Sequence, residues 1–414
     1  MRRNLWQTGA GAILAAGLAL AWLPGPVFPL LFCLACAAFS LAWLVQSWRQ
    51  RRRPKTGAAL GWLAALALWI GAHRLLVRPP DAIAAGVEFA VWTAAPLLAL
   101  VLANELDSRR ALDGWLRAAG AAAAAIAGWA LFQGLTSGGR VFWLAAPAAP
   151  VERVWGPFLY HNKLAQFAQL MLPVLMCLAA KDGRRRWWWL AAAAGLPVVT
   201  VAAASRAGTV LLAAECLLCC FLLAVRGLSS RRGAALLAMR LAAAAGAGVL
   251  IAGWEPLAER IDPQQMLSDR RFDLYASSWE MARAHLPWGA GYGGWAAVYP
   301  EFARFDDGRY ANQAHNDWLQ WLCEGGIPGL ALMLAFAMAI ARPLLRGVWG
   351  CGVLFVFAHA LVDYPFRQSA PLAVLVVCIA VVAHRDNGRW LEGSGGGQYA
   401  PSPVSTTFTV LPRM

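Results

Sequence analysis

The sequence predicts an all-α polytopic membrane protein of about 12 transmembrane helices, and three observations carry that prediction. Hydrophobic residues make up 60% of the 414 and charged residues 14%, whereas a soluble domain carries about a quarter charged residues. Several apolar runs approach the roughly 20 residues that cross a bilayer core as helix. Basic residues gather in alternate connectors between those runs, as the positive-inside rule requires. That pattern also accounts for the net charge of +14. In a soluble protein such a charge would point to nucleic acid; here none is expected as a partner.

The spans follow in order. The first, 8–23, lies behind Arg2-Arg3. It has the basic start of a signal peptide, but no convincing A-x-A site follows, so it reads as a retained helix. The second, 27–46, ends at the basic run Arg49 to Lys55, and 57–76 and 84–104 flank a connector with Arg74 and Arg78. The fifth, 112–134, follows Arg109-Arg110. The sixth, 160–180, opens in "GPFLYHNKLAQF" behind a connector with Arg140 and Arg153. Lys181 and Arg184 to Arg186 precede 187–204, and only Ser205-Arg206 separates that span from 207–225. Arg226 and Arg231-Arg232 precede 234–254. The last three spans are 327–345, 347–363 and 370–384, with Arg342, Arg346 and Arg367 between them. Connectors on one side, with Arg2-Arg3 at one terminus and Arg385 and Arg389 at the other, hold 20 Lys and Arg against six in the short connectors opposite. Both termini are therefore expected inside.

Four regions result: spans one to nine (1–254), a long outer loop (255–326), spans ten to twelve (327–384) and a tail (385–414). The loop holds 11 of the 22 acidic residues. Within it a helix is expected from about Arg271 to His285, ended by Pro287 and the glycine-rich "GAGYGG". The tail is rich in Gly, Ser and Pro and reads as disordered. Nine cysteines, nearly all in apolar runs, behave as small buried residues; neither a disulfide framework nor a zinc site is expected.

Chemistry is expected at the outer boundary. His315 and Asn316 stand ahead of "DWLQWLCEGGIPGL". A lone histidine at a helix start is ordinarily inert. This one shares a helix face with Leu319 and Leu322, lies at the membrane mouth, and has the side chain suited to proton transfer near neutral pH. Arg206, in "AAASRAGTV", either snorkels to head groups or binds an anion, for which its fork suits a diphosphate. Arg271 opens an amphipathic stretch; its neighbour Arg270 reads as a solvated charge, with anion contact as its alternative. The turn at 289–294 could make a phosphate nest, although a plain tight turn is the commoner outcome. His161, Asn162 and Lys163 open the sixth span, and His359 and Asp363 stand one turn apart with Arg367 beyond. Helix-end anchoring and substrate contact both fit these two clusters.

The segments "GPFLYHNKLAQFAQLMLP", "SRAG", "RFDLYASSWEMARAHLPWGAGYGG", "HNDWLQWLCEGGIPG" and "HALVDYPFR", in that order between about 150 and 384, resemble the O-antigen ligase and polymerase superfamily. Its members are bacterial inner-membrane glycosyltransferases of GT-C type. The resemblance implies an undecaprenyl-diphosphate-linked glycan as donor, a lipid A-core acceptor, a periplasmic site and no metal or other cofactor. It places Arg206, Arg271 and His315 on positions the family treats as essential. Tyr275 departs from the family's common Trp while keeping an aromatic ring. Chain length and the single large loop favour the ligase over the polymerase or a protein O-oligosaccharyltransferase.

The mechanism this implies is inverting transfer. His315 takes the acceptor hydroxyl proton, while Arg206 and Arg271 stabilise the departing diphosphate. Two other classes compete. A transporter of polyprenyl-linked glycans or anions fits twelve spans, but Glu215 and Arg240 are the only charges read deep inside spans. A scaffold without chemistry does not account for Arg and His clustering on one side.

Overall fold

The computed structural model describes residues 2–20, 22–23, 25–106, 108–147, 153–253, 270–305, 308, 310–345 and 347–367. The expected twelfth span, the tail, residue 254 at the end of the ninth span and the first part of the large loop (255–269) lie outside the described residues. Within them the chain is helical, without a named strand: α1 (Arg2–Ala19), α2 (Val27–Arg49), α3 (Ala58–Leu76), α4 (Ala82–Glu105), α5 (Arg109–Thr136), α6 (His161–Lys181), α7 (Arg186–Ala202), α8 (Arg206–Val225), α9 (Arg231–Ala252), α10 (Arg271–His285), α11 (Trp295–Val298), α12 (Asp317–Leu345) and α13 (Cys351–His359). Eight of these are long and apolar enough to cross a membrane: α2 to α6, α8, α9 and α12. The protein is a polytopic membrane protein.

The helix starts follow local chemistry. Asp81 accepts from the Ile83 and Ala84 amides at 2.8 and 2.9 Å, and Ser108, Ser205 and Ser230 cap α5, α8 and α9 in the same way. α6 is the hub of the bundle. It is buried along almost its whole length and packs against α5, α7, α8 and α13. Gly208 lets α8 approach it closely, because a Cβ there would overlap the Cβ of Ala165.

Besides the expected first and seventh spans, whose helices α1 and α7 are not among those eight, two expected spans differ in the structure. The tenth is expected at 327–345, yet α12 begins at Asp317 and passes through a kink at Gly326 (φ 62°, ψ −161°). The sequence Gly325-Gly326-Ile327-Pro328 reads locally as the end of one element. The turn after α10 lets it continue. The Ala290 amide donates to the Cys323 carbonyl at 2.8 Å, the Gly291 amide to that of Glu324 at 3.0 Å, and the Ile327 amide to that of Pro287 at 2.9 Å. The kink thus leaves these backbone groups partnered. The eleventh span, placed at 347–363, is a 3-10 turn, Val348–Gly350, followed by the nine residues of α13. At 1.5 Å per residue α13 is about 14 Å long, too short to cross the roughly 30 Å hydrocarbon core. Asp363 therefore lies in the turn beyond α13 rather than on it.

The described cysteines are free and buried, as their place in apolar runs predicts. More charge is buried than the sequence reading allowed. Lys163 is 1% exposed. The Arg367 side chain, 2% exposed, pairs with Asp317 at 3.2 Å, Glu88 at 2.9 Å and Glu324. This hub ties α4, both halves of the site end of α12 and the chain after α13 together.

Candidate active site

Four helix starts meet at one end of the bundle. The first residues of α6, α8, α10 and α12 are His161, Arg206, Arg271 and Asp317. A chain of side-chain hydrogen bonds joins three of these starts. Ser205, capping α8, donates through Oγ to Asn162 Oδ1 at 2.6 Å. Asn162 Nδ2 donates to the Tyr160 hydroxyl at 3.0 Å, which also accepts from Arg271 Nη2 at 3.3 Å. Arg271 Nη1 donates to the Val362 carbonyl at 3.2 Å. Each helix start carries partial positive charge, and neither α6 nor α10 has a side-chain cap. With the two guanidinium-bearing residues at α8 and α10, the region is cationic.

His315 faces this region from the start of α12. Its φ of 53° is left-handed, a conformation costing about 1–3 kcal/mol in a non-glycine residue. The Tyr275 hydroxyl helps hold it by donating to the His315 carbonyl at 2.9 Å. A Trp at position 275 would have no such hydroxyl and could not make this bond. Asn316 caps α12 by accepting from the Leu319 amide at 3.0 Å. The Asp317 amide donates to the carbonyls of Ala360, at 2.9 Å, and Asp363, at 3.2 Å, which docks the helix start onto the turn after α13.

The imidazole lies edge-on to Tyr364 (5.0 Å between centroids) and Tyr160 (6.2 Å). Its Nδ1 stands 3.4 Å from Asp363 Oδ1, an ion-pair distance longer than a good hydrogen bond. Asp363 Oδ2 accepts from Gln166 Nε2 at 2.6 Å and lies 3.4 Å from Lys163 Nζ. Burial by itself raises the Asp363 carboxyl. The Lys163 ammonium and the His315 ring outweigh it and hold the group well below the usual carboxylate range. An anion therefore sits behind Nδ1, while the ring keeps 23% of its surface exposed.

The expected site residues thus fall into layers. His315, Asn316, Arg271, Asn162 and Asp363 are brought together, with Arg206 one residue from the Ser205–Asn162 bond. His161 is half-buried and packs on Tyr160 at 4.7 Å. Lys163 lies deeper: it donates to the Tyr364 carbonyl at 2.7 Å and stands 3.6 Å from the centre of that ring. His359 is fully buried, with Nδ1 3.0 Å from Gln169 Oε1. Arg270 is exposed and packs over Phe305. Tyr160, Tyr364, Gln166 and Ser205 escaped the sequence reading. They sit inside its quoted segments but carry no charge, and most of their partners are distant in the chain. Among the described residues no group of three His, Cys, Asp or Glu is arranged to hold a metal ion.

Residues 190–334 match a family model described as O-antigen ligase. The matched stretch contains Arg206, Arg271 and His315, while the 160–163 and 359–363 clusters lie outside it. No curated protein matches the chain.

Proposed function

We propose that this chain, which carries an O-antigen ligase family domain, moves a glycan from undecaprenyl diphosphate to lipid A-core oligosaccharide at the periplasmic face of the bacterial inner membrane. The observation that supports this reading best is the His315–Asp363 pair, set at 3.4 Å beside the cationic helix starts. One end of the site can take a proton while the other accepts negative charge.

The acceptor sugar hydroxyl attacks the anomeric carbon of the donor as His315 Nε2 takes its proton. The Asp363 charge behind Nδ1 favours a proton on that nitrogen, which leaves Nε2 basic, and steadies the imidazolium that forms. The bond from the anomeric carbon to the diphosphate oxygen breaks, its electron pair leaves with undecaprenyl diphosphate, and configuration inverts. Arg206, Arg271 and the uncapped starts of α6 and α10 stabilise that growing charge. The donor's diphosphate ester is already activated, so no nucleotide is consumed. Bringing both lipid-borne head groups to these helix starts supplies proximity.

An O-antigen polymerase would use the same donor grip and base with a second lipid-linked glycan as acceptor, and the family match favours neither. A gene deletion read on a lipopolysaccharide gel separates them. Loss of the ladder with accumulation of lipid-linked O-antigen is the expected ligase result. A ladder cut to a single repeat identifies a polymerase, and an unchanged ladder overturns both.

A further inference from the structure

Helix α10 has three sides where a helix on a soluble surface has two. One side, with Ser277, Ser278, Met281 and Ala282, is buried. A second is acidic and exposed: Asp273 and Glu280 stand two turns apart, and Glu280 pairs with Arg304. The third is apolar yet uncovered. Phe272, Trp279 and Leu286 are 62, 50 and 40% exposed and recur every seven residues, so they line one stripe. Trp288, in the turn that follows, is also 52% exposed.

The height of this helix says what covers the stripe. Its first residue, Arg271, reaches Tyr160 and Val362 at the ends of α6 and α13. Just past its last residue, the Trp288 carbonyl lies 2.7 Å from His73 Nε2 in the last turn of α3. Gly291 rests on Pro79, and Gly293 on the first turn of α4. Both ends are thus pinned at the level where spans end. The 15 residues, about 22 Å, lie across the bundle instead of rising from it.

We propose that α10 is an interfacial helix whose Phe272–Trp279–Leu286 stripe rests in the lipid leaflet on the site's side of the membrane. Its partner is the bilayer itself. Aromatic rings are favoured at that depth. The acidic side turns to water, and exposed Arg283, between the two sides, is placed to reach lipid phosphate. Because Phe272 adjoins Arg271, the helix fixes the mouth of the site at head-group level, where a lipid-borne diphosphate travels. That consequence rests on the transfer reading; the lipid contact does not.

The test uses the full chain, whose described native cysteines are buried, in liposomes of phosphatidylethanolamine and phosphatidylglycerol. Nitroxide labels are placed at Trp279→Cys and, separately, Glu280→Cys. Molecular oxygen should relax the first label strongly and an aqueous nickel chelate weakly, with the reverse at the second. Strong relaxation of the Trp279→Cys label by the nickel chelate overturns the proposal. Shielding of that label from both reagents also overturns it, because it means a protein partner covers the stripe. A Phe272→Ser/Trp279→Ser variant tests the access role by turnover. The Michaelis constant for bilayer-borne donor should rise several-fold with kcat retained, and an unchanged constant overturns that role while leaving the label result to stand alone.

Discussion

The carboxylate behind His315 offers the sharpest test of the mechanism. Asp363→Asn keeps shape and removes charge. At 3.4 Å a carboxylate and an imidazolium attract by about 5 kcal/mol at an effective dielectric of 20. Lys163, already close to the other oxygen of the carboxylate, reduces what the ring gains. Loss of a general base costs about 10²–10⁴ in rate, or roughly 3–5 kcal/mol, which fits within that attraction. We therefore expect kcat to fall by about 10²–10⁴ with little change in the Michaelis constants, since Asp363 is buried and meets neither substrate in the proposed mechanism. The single variant strands a buried ammonium, a change that costs about 3–5 kcal/mol of stability. The double variant Asp363→Asn/Lys163→Met removes both charges and separates catalysis from folding. Initial rates are read in liposomes with purified lipid-linked donor and core acceptor, and thermal unfolding of each variant is followed by circular dichroism. A well-folded double variant with wild-type kcat refutes the pairing as a catalytic device.

Three further outcomes follow from single residues. Arg206→Ala should abolish transfer in the same liposome assay, while Arg206→Lys, which keeps charge but loses the two-pronged grip, should retain only a small part of it. Tyr275→Phe removes the hydrogen bond to the His315 carbonyl. It should cost about 1 kcal/mol of stability and lower kcat several-fold through misplacement of the ring, both measurable on one preparation. Gly326→Ala places a Cβ at a φ of 62° and into the Pro287 carbonyl. Unfolding should show a loss of at least about 1–3 kcal/mol, the usual cost of overpacking with left-handed strain added.

Most of the span pattern, and α10 to the residue, can be read from the chain, because apolar runs, caps and helix-stopping residues act locally. Asp81 and Ser205 mark their helix starts within three residues. The five segments that resemble the O-antigen ligase and polymerase superfamily likewise contain the residues that meet at the site. The kink in α12 was not legible, since Gly326 and Pro328 end a helix unless a neighbouring turn partners the freed backbone groups. That turn lies in another segment. The shortness of α13 is not legible either, because an apolar run shows its length and not where the chain bends.

What the sequence determined by itself was the solvent each segment seeks: oil for the spans, water and head groups for the charged connectors, fixed by composition and period. Only the tertiary structure decided which charges face each other. Lys163 and Asp363 are 200 residues apart in the chain, and Arg367 draws partners from α4 and α12. Such pairings depend on how helix ends pack around α6, where low dielectric makes each buried charge costly unless a partner arrives from elsewhere. No local signal carries that requirement.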